Sequence, residues 1–175
     1  DANSLFATYT PSLGEIAAGT VTLTLTTTGN GNCTPVTDQI TITITDAPTA
    51  NAGADASLCE NNADINLNGV ITVATGATWT GGSGTFTPDA NTLNAVYTPS
   101  VGELTAGSVT LTLTTTGNGD CIAVSDDVTY TFTPAPTIDA GADQVLCENN
   151  ADVSLSATLT GAGGVLWSGG AGNYS

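Results

Sequence analysis

The 175-residue chain has 16 acidic residues and no Lys, Arg or His, which gives it a formal charge of −16. Ion pairs between its side chains are therefore excluded, and nucleic acid is an unsuitable partner because phosphate contacts need Lys or Arg. Apolar residues make up 40% of the chain, but they form no run long enough to cross a bilayer, so no membrane insertion is expected.

The chain repeats itself with a period of 88 residues. Residues 20–33 and 108–121 match at 12 of 14 positions, and sliding the whole chain by 88 matches 52 of 87 positions with no insertion or deletion. A period of this length suits one small domain better than a solenoid coil. We divide the chain into residues 1–47, the C-terminal part of a repeat (the leading segment), residues 48–135, one complete repeat (the central unit), and residues 136–175, the N-terminal part of the next repeat (the trailing segment).

The leading segment is predicted to contain a strand, a corner and a hairpin. Its strand lies near Leu5 to Thr10, and residues 11–19 predict a short helical turn or tight corner that reverses the chain. Apolar residues alternate with Thr over residues 21–25 and again over residues 40–45, which indicates two half-buried strands. The Gly and Asn residues at 29–32 supply the turn between these strands.

The central unit is predicted to be a sandwich of short strands. Thr accounts for 34 of the 175 residues, and its β-branched side chain suits a pleated surface. We predict strands near residues 57–59, 64–68, 77–80, 84–87, 92–98, 108–115 and 124–133. Short strands separated by turn residues indicate an all-β fold of tandem Ig-like antiparallel β-sandwich repeats. Low-complexity disorder is the alternative, but the alternation is regular and each unit carries a Trp and two Cys.

The alternation also selects the residues of the core. Those expected inside the central unit are Trp79, Val109, Leu111, Leu113, Val128, Tyr130 and Phe132. The Thr residues between them should face water. A sandwich of this size usually buries one Trp. The alternative is that Trp79 and its counterpart Trp167 are exposed and stack on a ligand.

Several short sequence motifs, taken as a set, resemble those of a known family. They are Cys-Glu-Asn-Asn, Trp-x-Gly-Gly-x-Gly, Tyr-Thr-Pro-Ser, Val-Thr-Leu-Thr-Leu-Thr-Thr-Thr-Gly-Asn-Gly-x-Cys and Ala-Pro-Thr-x-x-Ala-Gly-Ala-Asp. The chain resembles the tandem PKD-like, immunoglobulin-like repeats of very large Bacteroidota cell-surface proteins, which include gliding-motility adhesins. The resemblance covers the whole chain and implies a secreted protein at the cell surface, built as a multi-repeat filament or stalk.

The expected function follows from this resemblance. It is a non-catalytic structural array in an extracellular adhesin stalk or surface filament, whose partners are neighbouring repeats or copies of the chain placed end to end. The alternative is that the same repeats present a module that binds a glycan or a surface polysaccharide. The family shares architecture more than ligand, so the resemblance does not say what is bound.

Two cysteines recur in each period, as Cys33 and Cys121 and as Cys59 and Cys147. A secreted sandwich favours disulfides, and a zinc site is disfavoured because the chain has no His and no Cys-x-x-Cys. We predict a bond between Cys59 and Cys121, with Cys33 and Cys147 paired outside the chain. The alternative joins Cys33 to Cys59 and Cys121 to Cys147 across the junctions. The bond within the unit is favoured because closing its loop would contribute about 4 kcal/mol to the stability of one domain.

Acidic residues cluster where one unit meets the next, at Asp46, Asp55, Asp139 and Asp143. Their oxygens could bind Ca²⁺ and stiffen the junction. No EF-hand loop is present, however, and solvated surface acids are the alternative. No other cofactor is expected.

Catalysis is poorly supported by the residue types available. Without His or Lys, and with the cysteines oxidised, only carboxylates and hydroxyls remain, as in a paired-carboxylate glycosidase. A site repeated once in every 88 residues would be unusual for an enzyme. Flat Thr arrays can also bind ice, but here one buried and one wet face explain the alternation.

The leading and trailing segments together make one unit that lacks only the counterpart of Pro88. We therefore expect that the chain is part of a longer continuous array, or that the ends of neighbouring copies complete each other. Open sheet edges would otherwise promote aggregation. In either case Cys147 should pair with the counterpart of Cys33 in the neighbouring copy.

Overall fold

The structure is a computed structural model that describes residues 2–174. The leading segment contains helix α1 (Leu13–Ala18) and strands β1 (Thr20–Thr26) and β2 (Thr37–Thr43). The trailing segment contains strands β12 (Thr137–Asp139) and β13 (Thr158–Thr160).

The central unit contains nine strands, one helix and one 3-10 turn. In chain order they are β3 (Thr49–Asn51), β4 (Ala56–Cys59), the 3-10 turn (Glu60–Asn62), β5 (Ile65–Asn66), β6 (Val70–Thr72), β7 (Gly76–Thr80), β8 (Thr85–Thr87), β9 (Val96–Thr98), helix α2 (Val101–Ala106), β10 (Ser108–Thr116) and β11 (Ser125–Thr133). Both α1 and α2 are six residues long, so within the described residues neither reaches the length that a membrane-spanning helix needs.

Two layers of strands form a sandwich in the central unit. One layer is a four-stranded sheet in the order β4, β11, β10, β7, and the other contains the three-stranded sheet β5, β9, β8. Strands β3 and β6 form a separate pair, and β3 lies close to β10 and β11. The predicted all-β sandwich is therefore confirmed. Its strand pairs are antiparallel as expected, except that β4 runs parallel to β11.

The parallel pair arises from the path of the chain after the junction. The Ala52 amide donates to the Asp126 carboxylate at 2.8 Å, and the Thr129 amide donates to the Asp55 carboxylate at 2.8 Å. The chain thus reaches the sheet where β11 begins and follows it in the same direction. No hairpin turn joins β4 to β11, so nothing forces the pair to be antiparallel.

The core lies between the two layers. Trp79, Leu111, Leu113 and Val128 are at most 1% exposed, and Val109, Tyr130 and Phe132 are also buried. The Trp79 indole N–H donates to the Leu93 carbonyl at 3.3 Å, which satisfies the one polar atom of the ring. On the opposite face of the hairpin Thr110 and Thr131 are exposed, while Thr112 and Thr129 are half-buried.

The hairpin of the leading segment repeats the hairpin of the central unit. Strand β1 pairs with β2 from Thr20 with Thr43 to Thr26 with Thr37. Strand β10 pairs with β11 in the same register, shifted by 88 residues. The two hairpins therefore place equivalent residues at equivalent positions.

The short elements differ most from the expectations. Strands β3 and β6 were not predicted from sequence, because three residues carry no measurable periodicity. The strand expected over Leu5 to Thr10 is absent. Its counterpart in the central unit, β9, lies between β5 and β8, whereas residues 5–10 have no such neighbours among the described residues.

Candidate functional site

The two cysteine positions of a unit lie at opposite ends of its four-stranded sheet. Cys59 pairs with Thr133, the last residue of β11. Cys121 lies in the loop before Ser125, the first residue of β11. The nine residues of β11, at a rise of about 3.3 Å per residue, place its two ends roughly 26 Å apart. A disulfide needs Cα atoms within about 7 Å.

The predicted bond between Cys59 and Cys121 is therefore wrong. All four cysteines, Cys33, Cys59, Cys121 and Cys147, are unbonded in the structure. The spacing of the cysteines in the sequence could not reveal this separation. Both cysteines lie next to β11, but one lies before its first residue and the other beside its last residue.

The alternative pairing of Cys33 with Cys59 and Cys121 with Cys147 is not formed either. Cys33 lies in the loop before β2, whereas the junction with the central unit begins beyond the other end of β2. Cys59 in turn lies at the end of the central unit that faces away from this junction. The first of these bonds would have to span two units.

Cys121 does make one contact across the junction. Its sulfur lies 3.4 Å from the Thr45 hydroxyl and 3.5 Å from the Asp46 carbonyl oxygen. These two residues follow β2 in the leading segment. The thiol of the central unit therefore lies against the end of the preceding unit.

A second polar cluster lies at the corner before helix α2. The Glu103 carboxylate, only 8% exposed, accepts from the Tyr97 hydroxyl at 2.7 Å, from the Ser83 amide at 2.8 Å and from the Ser100 amide at 2.7 Å. Ser100 in turn caps the helix by accepting from the Glu103 amide. The helix ends at Gly107, whose φ of 80° is the left-handed conformation that glycine adopts without strain.

This corner fixes the ionisation of two buried groups. Burial raises the pKa of Glu103, but hydrogen bonds from Tyr97, Ser100 and Ser83 outweigh it and leave that pKa below the ordinary value of 4.5. Burial and the bond to Glu103 raise the pKa of Tyr97 to about 12. At neutral pH the ionised Glu103 carboxylate therefore accepts a hydrogen bond from the neutral Tyr97 hydroxyl. This bond connects the corner to β9, so its role is structural.

The same corner recurs in the leading segment. The Tyr9 hydroxyl donates to Glu15 at 2.6 Å, and the Ser12 amide donates to the same carboxylate at 2.7 Å. The hydrogen bond from Tyr9 is the main cause that lowers the pKa of Glu15. Sequence reasoning missed the role of this Glu. The signal was present in the Ser-x-x-Glu capping box that follows each Tyr-Thr-Pro phrase.

The junction carboxylates are dispersed. Asp55 accepts from the Thr129 amide, and Asp139 accepts from the Gly141 amide at 2.8 Å within its own turn. Asp46 is joined to the neighbouring unit through its backbone carbonyl, and Asp143 is exposed. Among residues 2–174 no three Asp, Glu, Cys or His side chains converge as a metal site would require. Calcium at the junction stays a prediction.

The second Trp lies in an open groove. Trp167 is half-buried and lines it with Ile138, Ala157, Val165 and Leu166. Its counterpart Trp79 is 1% exposed and lies in β7, the strand paired with β10, with its indole N–H bonded to the Leu93 carbonyl. Leu93 belongs to residues 89–135, whose counterparts lie outside residues 136–175, so Trp167 lacks this partner. Ser168 is the polar residue in the lining of the groove.

No protein-family model and no curated protein matches the chain. Solved structures that are similar include protocadherin gamma B7 extracellular cadherin domains 1–4, with a TM-score of 0.38, 17% identity and 75% of this chain covered. The protocadherin gammaB7 EC3–6 cis-dimer structure gives a TM-score of 0.33, 15% identity and 74% coverage. The match covers 37% of either structure. Likenesses at this level carry no functional argument, and the sandwich is established by its own sheets.

Proposed function

We propose that this chain is part of a structural repeat array in an extracellular adhesin stalk or surface filament, without catalytic activity. The observation that carries the proposal is the recurrence of one hairpin, in one register, at an offset of 88 residues. The resemblance of the repeated phrases to Bacteroidota surface repeats supports the location at the cell surface. Secretion, gliding motility and the bacterial group belong to this proposal.

The array is tested by measuring how the maximum dimension of the protein changes as repeats are added. Chains carrying two, three and four periods are measured by small-angle X-ray scattering. The maximum dimension should rise by one constant step for each added period, because units joined head to tail extend in one direction. A maximum dimension that stays nearly constant would show that the units fold back on one another, which contradicts a stalk.

Polysaccharide binding by the same units is the second candidate. The central unit has a groove of about 330 Å³ lined by Glu60, Asn61, Val101, Leu104, Thr105 and Ala135, which combines apolar walls with a few polar groups. A glycan array probed with the 175-residue chain tests this candidate. Binding that Asn61→Ala abolishes would support a recognition role, and no binding would leave the structural role alone.

A further inference from the structure

We infer that Cys121 forms a disulfide across the junction with the cysteine at the Cys59 position of the preceding unit. The inference rests on the proposed array and adds a covalent bond to it. It does not depend on whether that cysteine belongs to upstream residues of one polypeptide or to another copy of the chain.

Thr45 and Thr133 are equivalent positions of the repeat. The two residues are 88 apart, and each lies two residues after the last paired residue of its hairpin, Thr43 or Thr131. Thr133 pairs with Cys59 on the parallel strand β4, and its hydroxyl donates to the Leu58 carbonyl at 3.2 Å. A unit completed around β1 and β2 would therefore place its own cysteine beside Thr45.

The thiol of Cys121 lies beside the same threonine. The Cys121 sulfur already lies 3.4 Å from the Thr45 hydroxyl. A cysteine on the neighbouring strand would have its Cα about 4.8 Å from the Thr45 Cα. Both thiols would then lie next to the Thr45 side chain, close enough to each other to form a disulfide.

Each unit carries both halves of the bond at the correct ends. Cys59 lies at the end of its unit that faces the next repeat, and Cys121 lies at the end that faces the previous one. A head-to-tail array thus brings the two positions together at every junction. The partner of Cys59 would be the counterpart of Cys121 one period on, at a separation of 62 plus 88, or 150 residues.

The chemistry requires an oxidant of the disulfide class, such as oxidised glutathione. One thiolate attacks the oxidant, whose sulfur–sulfur bond breaks and releases one thiol. The second protein thiolate then attacks the mixed disulfide and releases the other thiol. The protein gains one sulfur–sulfur bond and loses two hydrogen atoms, and the oxidant is reduced by two electrons.

The test uses the full chain extended at its N-terminus by a second copy of residues 48–88, which completes the leading unit. The protein is oxidised with oxidised glutathione, alkylated and digested with pepsin at low pH, because the chain has no Lys or Arg for trypsin. The extended chain also carries Cys59→Ser in the central unit, because the two copies of Cys59 lie in identical peptides. Mass spectrometry should find the added copy of Cys59 linked to Cys121, lighter than the two free peptides by two hydrogen atoms.

Two variants sharpen the result. Cys121→Ser should abolish the linked peptide, while Cys33→Ser, in an exposed loop away from the junction, should leave it unchanged. A free Cys121 after oxidation, or a bond from Cys121 to Cys33 or Cys147, would overturn the inference.

A separate measurement distinguishes failure of the bond from failure of the array. In the reduced extended chain, the added copy of Trp79 should be buried and its fluorescence shifted to shorter wavelength, as expected of a folded unit. A folded leading unit without the predicted bond contradicts the disulfide alone. A leading unit that stays unfolded contradicts the repeat array, and the disulfide with it.

Discussion

The hairpin of the leading segment and the hairpin of the central unit have nearly the same sequence but opposite surroundings. Leu113 is fully buried, whereas its counterpart Leu25 is 63% exposed. Val128 is likewise buried, while Ile40 is 61% exposed. Strand pairing and the capped corner are nonetheless the same in both. Local sequence therefore determines the hairpin and the helix caps, and burial depends on residues 48–88, which cover this face in the central unit.

The largest difference in stability is expected when the equivalent Leu is truncated in each hairpin. Leu113→Ala should cost about 2 to 5 kcal/mol, because it leaves a cavity beside Trp79. Leu25→Ala should cost less than about 1 kcal/mol, since its side chain is mostly in water. Urea unfolding followed by tryptophan fluorescence measures both. Equal costs would mean that the leading hairpin is covered in solution.

The glycines after each Trp give the next largest difference. Gly82 and Gly170 both have a φ of 67°, so alanine costs about 1 kcal/mol in backbone strain at either position. Only at Gly82 would the added methyl group collide with the Tyr97 hydroxyl and the Glu103 carboxylate. We expect Gly82→Ala to cost about 2 to 4 kcal/mol in total, because overpacking adds to the strain.

Gly170→Ala is the matched control, since nothing lies near its added methyl group. Thermal unfolding of both variants is the measurement. A Gly82→Ala protein as stable as the Gly170→Ala protein would show that the corner can move away from the glycine.

The corner carboxylates extend the comparison to pH. Glu103 has a lowered pKa in the folded state, so its ionised form contributes stability that is present above pH 4.5 and lost as the pH falls through the folded pKa. Glu103→Gln should cost about 1 to 3 kcal/mol at neutral pH and flatten the loss of stability below pH 4.5. Urea unfolding at pH 7 and at stepwise lower pH measures this.

Glu15→Gln is the control, because Glu15 accepts from Tyr9 and Ser12 but has no bond like the one from the Ser83 amide to Glu103. Glu15 is also more exposed than Glu103, so water screens its bonds more strongly. It should change the acid profile less than Glu103→Gln does. Identical acid profiles for the two variants would mean that burial adds nothing to this corner.

The smallest effect is expected on the opposite face of the central hairpin. Thr112 is half-buried between the core residues Leu111 and Leu113, and it points away from them. Thr112→Ala should cost less than about 1 kcal/mol, measured by the same urea unfolding. A cost close to that of Leu113→Ala would show that this face is covered as well.

Much of the fold was predictable because the period and the alternation agree. Leu111 and Val128 are identified as inward by a two-residue period. Strands β3 and β6 could not be predicted, since three residues are too few to show a period. The parallel direction of β4 is equally invisible, because it follows from the hydrogen bonds of Ala52 and Asp55 to β11.

The candidate site was predicted less well than the fold. The recurrence of the cysteines correctly indicated two fixed positions, but sequence separation does not say at which end of a sheet each position lies. Glu103 was overlooked because a charged residue in a helix cap is ordinarily exposed. Its burial arises from the close approach of β9 and the turn at Ser83, which only the folded unit provides.

The parallel pairing of β4 with β11 has a mechanical consequence for a chain of such units. A pull along the chain draws the beginning of the unit one way and its end the other. The strands that receive this load lie side by side and run in the same direction, paired from Ala56 with Tyr130 to Cys59 with Thr133. Their hydrogen bonds are evenly spaced, so the pull loads all of them at once in shear instead of opening them one after another. A unit built in this way resists extension.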